Sequence, residues 1–360
     1  MAHEMTDADQ MFSVRETPWH AAETNSTILA DHPEPEQVLQ VAGLDWKVEE
    51  GEVYRKLERA IEQPDHVLSI EEYGALAEAE PLSFDRKTTV TYPKLAGWKM
   101  LTRSDTHDIL HVAKDSYGVV QNEVGADIMD RLLGADEAVK YETGGSIRSG
   151  AVCYLSAKVD EPFTVIGDDS YTFPYVVVTW AHDGSAAVEA RATNVRVVCG
   201  NTISASEAES RRTGRHFTFR HTKNVMERID DAKKTLSGVR EETKAFQILA
   251  DELAQVGITE EQREEFVRTF IPEPSSTYAV SDRVLDNISR DRSKVRGLFE
   301  GETIPEAHKL SAYGLVLAGS EYLDHLRTYR NADTYLGRTL LRDEPLKKKL
   351  VPMVRELVKV

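Results

Sequence analysis

The run Arg211-Arg212-Thr213-Gly214-Arg215-His216-Phe217-Thr218-Phe219-Arg220-His221-Thr222-Lys223 holds five Lys/Arg, two histidines, two phenylalanines and no acid. The chain as a whole carries a formal charge of −17, so the rest of it sums to −22. Basic groups in such a run neutralise phosphates and release their counterions, and aromatic rings offer faces on which unpaired bases stack. Arg211, Arg212, Arg215, Arg220 and Lys223 are the candidate phosphate contacts, and His221 joins them. If Phe217 to His221 is extended, Phe217, Phe219 and His221 share one face, so the two phenylalanines are either stacking groups or core anchors. Arg191 and Arg196 precede this run and could extend its charge. They are five residues apart, so an unbroken strand sends them to opposite faces and only one can join without a bulge.

Other residue types invite chemistry less well. His182-Asp183-Gly184 suggests a base with its orienting acid. No glycine-flanked serine elbow accompanies it, and Asp-Gly between two strands is already explained as a turn. His216 and His221 have no carboxylate near them in that run, so nothing matches a zinc or calcium pattern. Gly144-Gly145 lacks the downstream Gly-Lys-Ser/Thr of a phosphate loop, and no dinucleotide fingerprint occurs. The expectation is a chain with no catalytic residue, no metal and no cofactor. Cys153 and Cys199 are too far apart to form a zinc pair and sit in apolar strands, as small buried hydrophobes.

The elements that must position the basic run follow from periodicity. Strand-like segments occupy 138–143, 147–159, 173–182 and 186–199, with turn chemistry at Gly167-Asp168-Asp169 and Asp183-Gly184. Val188, Ala190 and Ala192 alternate with Glu189, Arg191 and Thr193, which sets one face of the last strand on a core. Asn122 is suited to cap a helix whose Val124, Ile128, Leu132 and Leu133 share one face. After Lys223 the spacing of Val225, Ile229, Ala232, Leu236 and Val239 turns helical, with further helical blocks at about 305–329 and 346–360. Short helices are expected over 53–61 and 70–79, and a short strand over 88–92. The fold class is α+β: a central antiparallel β-meander packed with helices, an acidic N-terminal region and a helical C-terminal region. The expected divisions are 1–104, 105–224 and 225–360.

Charge is uneven. Residues 1–80 hold 19 acidic and 5 basic residues, a net of −14, which leaves about −3 for everything after them. Net acidity therefore does not exclude nucleic acid as a ligand of the later chain. No apolar run is long enough to span a bilayer, and Glu4, Asp7 and Asp9 stand where a secretory signal carries Lys or Arg. With two cysteines in all, the composition suits a reducing compartment, the cytoplasm of a bacterial host.

Several phrases carry a resemblance: Met11-Phe12-Ser13 with Pro18-Trp19-His20, Tyr117-Gly118-Val119-Val120-Gln121-Asn122, His182-Asp183-Gly184, Asn194 to Thr202, Arg220-His221-Thr222, and Glu321-Tyr322-Leu323-Asp324-His325. In this order they resemble a phage/plasmid-like protein family of unknown function from actinobacterial phages and mobile elements. The family usually has glycine soon after Pro-Trp-His; this chain has Ala21-Ala22. The order helix, meander, long helix is also similar to the core of phage single-strand annealing proteins, which implies rings or filaments. The functional expectation is single-stranded DNA or RNA binding in replication or recombination, possible homo-oligomerisation, and residues 1–80 competing for the basic surface until nucleic acid displaces them. The alternative is a protein-interaction or counter-defence module that acts on a host factor through the acidic region, and a third class is a hydrolase built on His182.

Overall fold

The computed structural model describes residues 10–15, 26–64, 84–133, 139–159, 162–196, 201–203, 217–219, 233–274, 280–328 and 345–359. The α+β class holds, with one hydrophobic core built on a sheet and a second that is mainly helical.

The first core is built on a nine-stranded sheet. Its strands are β1 (Met11–Val14), β2 (Ser26–Leu29), β8 (Lys140–Ile147), β9 (Val152–Lys158), β10 (Phe163–Val165), β11 (Asp168–Ala181), β12 (Val188–Arg196), β13 (Asn201–Ile203) and β14 (Phe217–Phe219). The order is β13-β12-β11-β9-β8-β1-β2, with β10 also on β11 and β14 also on β12. Neighbours from β12 to β1 are antiparallel, and β1 with β2 is parallel. The meander expected between 138 and 199 is therefore present. Strand β9 is buried at every position from Val152 to Ala157, the near-continuous apolar run of a strand covered on both faces. Helix α2 (Asn122–Leu133) lies across β9 and β11. It does so through Gly125, where a Cβ would come within 2.3 Å of the Trp180 ring.

The N-terminal region differs from the expectation. Strand β1 lies inside the sheet, between β8 and β2, with Met11 and Phe12 fully buried. Helix α1 (Val38–Val41), Leu44, Trp46 and Val48 join the same core. Residues 53–61, expected as helix, are extended in β3 (Val48–Tyr54) and β4 (Leu57–Pro64). These pair with β6 (Lys94–Arg103) and β5 (Phe84–Thr91), and β7 (Ile109–Lys114) adds to β6. Val53, Leu57 and Ile61 do have helical spacing. Non-local pairing with the Thr-rich strand β5 overrides that local pattern. Of 70–79, nothing falls within the described residues.

The second core is helical: α3 (Lys233–Ala254), α4 (Glu260–Phe270), α5 (Asp282–Glu300), α6 (Ala312–Glu321) and α7 (Pro345–Val358). Helix α6 is buried on all sides, as the central rod of a bundle must be. Ser311 caps it by accepting from the Gly314 amide at 3.1 Å, and Thr259 with Gln262 forms a capping box on α4. A π-turn, Tyr322–Leu326, extends α6. The bundle is joined to the sheet by β10, whose Phe163 meets Phe246 edge-on, and by the Ile166 amide, which donates to Asp251 at 2.8 Å.

Candidate nucleic-acid interface

Strand β12 positions the basic run. Its partner on one side is β11, in a register that runs unbroken from Thr172–Arg196 to Thr179–Glu189. With no bulge there, Arg191 and Arg196 fall on opposite faces of the strand. On the other side β12 takes two short strands. Asn201–Ile203 pairs with Asn194–Arg196, and Phe217–Phe219 pairs with Val188–Ala190. Both ends of the connection 204–216 are thus fixed to one sheet edge, with Arg191 between the two pairings.

Phe217 stands across from Ala190 and Phe219 across from Val188. Those two partners are core residues, 4% and 0% exposed. Of the remaining candidates, Arg211, Arg212, Arg215, Arg220, His221 and Lys223 lie outside the described residues, as does Cys199. Cys153 is fully buried, as expected.

A junction that sequence reasoning did not assemble lies where β11 ends. Asn122, expected as a cap, spends its side chain on long-range contacts. Its Nδ2 donates to the carbonyls of Leu44 (3.0 Å) and Trp46 (3.1 Å). Its Oδ1 accepts from Trp180 Nε1 at 3.0 Å and lies 2.9 Å from His182 Nε2. Carbonyls only accept and an indole N–H only donates, so the amide has one possible orientation. It follows that Nε2 carries the proton of His182 and donates to Asn122. The His182 ring, 2% exposed, also meets Trp46 edge-on at 5.4 Å. Asp183 has its own contacts: it accepts from the Ser185 amide at 2.8 Å and faces Arg148 at 3.6 Å. This geometry holds a histidine in place at the meeting of three elements.

Around it, Arg103 packs its guanidinium over Trp46 at 4.4 Å, makes a two-point contact with Asp105, and donates to the Ser149 carbonyl at 3.1 Å. That last bond secures the β8–β9 turn, where Arg148, Ser149 and Gly150 all have positive φ of 57°, 57° and 88°. Tyr117 donates to the Ala181 carbonyl at 3.4 Å; burial, with the Asp183 charge, pushes its hydroxyl up to about 12. The phrases Tyr117–Asn122 and His182–Gly184 thus meet in space. The signal available beforehand was their polar content inside apolar surroundings, which does not name partners.

Among the described residues no group of three or more His, Cys, Asp or Glu could hold a metal ion, and no helix is long and apolar enough to cross a membrane. No curated protein and no solved structure matches the chain. Residues 109–342, well over half of the chain, match the family model of a domain of unknown function, DUF932; they take in β7, the meander from β8 to β12, the Asn122–His182 junction, the basic run and most of the helical core. The chain belongs to the DUF932 family.

Proposed function

We propose that this protein binds single-stranded nucleic acid along the outer edge of its large sheet, as a non-enzymatic phage or plasmid protein of replication or recombination, with strand annealing as the matching activity. The observation that carries this reading is the double pairing of β12 with β13 and β14, which ties the approach to the basic run to one edge. Phosphates are the ligands of Arg211, Arg212, Arg215, Arg220 and Lys223, with Arg191 or Arg196 adding to them according to which face the strand lies on. Phe217 or Phe219 offers its ring to an unpaired base. The test is fluorescence anisotropy with labelled single-stranded and duplex DNA across a salt series, for the wild type and an Arg211/Arg212/Arg215→Ala variant. Binding to single strands should weaken steeply with salt, and the variant should lose about two to three units of the log–log salt slope. Absence of binding at low salt would rule the reading out.

One observation favours the host-protein alternative. Tyr54, Tyr92, Leu95 and Trp98 expose 53%, 62%, 40% and 38% of their surface in the N-terminal region. Exposed large apolar side chains gathered in one region are the kind of surface that protein contacts cover. Under that reading the mutational profile reverses: the N-terminal region is required and the basic run is dispensable.

A further inference from the structure

The three-stranded sheet β3-β6-β7 has two outer strands of opposite character. Strand β3 carries Glu49, Glu50 and Glu52 within its seven residues, all three exposed. Charges of that kind on an outer strand deter edge-to-edge pairing with other chains. Strand β7 has no acid and no proline over Ile109–Lys114, and its one lysine, Lys114, is the last residue. Ile109 and Val112 expose 64% and 40% of their surface. The register on β6 sets them on one face with Trp98, Met100 and Thr102, while Leu110 and Ala113 are buried. One irregularity, at Leu110, leaves His111–Lys114 in regular pairing. Among the described residues β7 pairs with no strand but β6. Its outer edge is a row of backbone donors and acceptors flanked by apolar side chains, the arrangement that takes up another strand.

We propose that β7 is a self-association edge, which pairs antiparallel with β7 of a second copy about a two-fold axis at Val112. Self-complementarity selects this occupant. A two-fold axis normal to the sheet brings a strand against itself in the antiparallel sense. Centred on Val112, the pairing sets Val112 across from Val112 of the partner subunit and His111 across from Ala113 of the partner subunit. Each face of the strand then continues into its like. The two Lys114 stand at opposite ends of the pair, roughly 13 Å apart at ~3.3 Å per residue, so no like charges are opposed. Pairing β3 on itself would oppose glutamates instead. Pairing β7 on β3 of another copy would set Glu49, Glu50 and Glu52 against apolar residues, and such a head-to-tail contact leaves an edge unpaired unless a ring closes. In the two-fold arrangement two sheets of three strands become one of six, in the order β3-β6-β7-β7-β6-β3. The basic run takes no part in it, so the inference stands apart from the proposed nucleic-acid site.

The experiment is sedimentation velocity on the full chain over a concentration series, without nucleic acid, joined to amide hydrogen exchange over residues 109–114. The samples are the wild type, Val112→Lys, Val112→Glu, and an equimolar mixture of the two variants. The wild type should pass from monomer to dimer as concentration rises, and its 109–114 amides should exchange more slowly in the dimer. Each variant, with the cooperative thermal melt of a folded protein, should stay monomeric over the series, because the axis opposes like charges. The mixture should recover the dimer, because the same axis then sets an ammonium against a carboxylate. A wild type that is monomeric at every concentration overturns the inference. So does a folded variant that still dimerises, a mixture that stays monomeric, or a dimer in which exchange over 109–114 is unchanged. If the Val112 variants do not fold, Ile109→Lys takes their place, since it sets a second cation beside Lys114 of the partner subunit. It should weaken the dimer about tenfold, the effect of a like-charge pair repeated by the two-fold; folded Ile109→Lys that dimerises as the wild type does also overturns the inference.

Discussion

At the scale of single residues, the most consequential side chain is Asn122. It is fully buried and serves four partners from two parts of the chain: Leu44 and Trp46, and Trp180 and His182. Removing the amide strands two carbonyls and two N–H donors away from water, at about 1–3 kcal/mol for a buried group left unmade. Asn122→Ala should lower unfolding stability by about 3 kcal/mol in urea titrations, which is large for one truncation. His182→Ala removes one of the four partners and so should cost less. A double-mutant cycle over the two should give a coupling of about 1 kcal/mol. Strict additivity would mean that the Asn122–His182 bond contributes nothing. Little of this junction was legible beforehand. Asn122 was readable as a helix start and Asp183-Gly184 as a turn, because caps and turns are local signals. The bond between Asn122 and His182 spans 60 residues, and no spacing rule announces a contact of that kind.

At the scale of elements, α2 and β11 show which of two opposed effects decides a substitution. Gly125 sits inside a helix, where alanine is favoured by about 1 kcal/mol. Against that, a Cβ at this position would lie 2.3–2.6 Å from three atoms of the Trp180 ring. The ring is fully buried and pinned by its bond to Asn122, so it has nowhere to move. Overpacking costs about 1–3 kcal/mol and here exceeds the propensity gain. Gly125→Ala should lower the melting temperature, with a net loss of about 1–2 kcal/mol; a rise in melting temperature would show that the helix shifts off the sheet without cost. Strands β8, β9, β11 and β12 were readable, β12 from strict alternation as in Val188, Glu189 and Ala190 and β9 from its unbroken apolar run. Of the β4–β5 pair, residues 88–91 of β5 were readable as a strand, whereas β4 was not, because the charged segment Leu57–Pro64 has no apolar alternation to reveal it.

At the scale of the whole molecule, acidity and architecture turn out to be separate matters. Residues 1–80 carry most of the net negative charge, which suggested a detachable competitor for the basic surface. Strand β1 sits between β8 and β2, and its Met11, Phe12, Ser13 and Val14 are all buried. The backbone approach on β8 is so close that a Cβ at Gly145 would reach 2.4 Å from the Gln10 carbonyl oxygen. From the same region Val38, Leu44, Trp46 and Val48 fill the core beneath α2. Deleting 1–80 therefore removes an inner strand and several large core side chains together. At about 1.5–3 kcal/mol for each large apolar side chain lost from burial, the seven named sum to about 10–20 kcal/mol, as much as the whole 5–15 kcal/mol by which a domain is stable. The truncated chain should lose its cooperative thermal transition and bind a hydrophobic dye, and any change in its nucleic-acid affinity would report unfolding. A truncated chain that melts cooperatively near the wild-type temperature would mean that β8 and α2 close over the gap, and would restore the acidic region as a separable arm. Its charge is better tested in place, by neutralising Glu71, Glu72, Glu78 and Glu80 while β1 stays in the sheet.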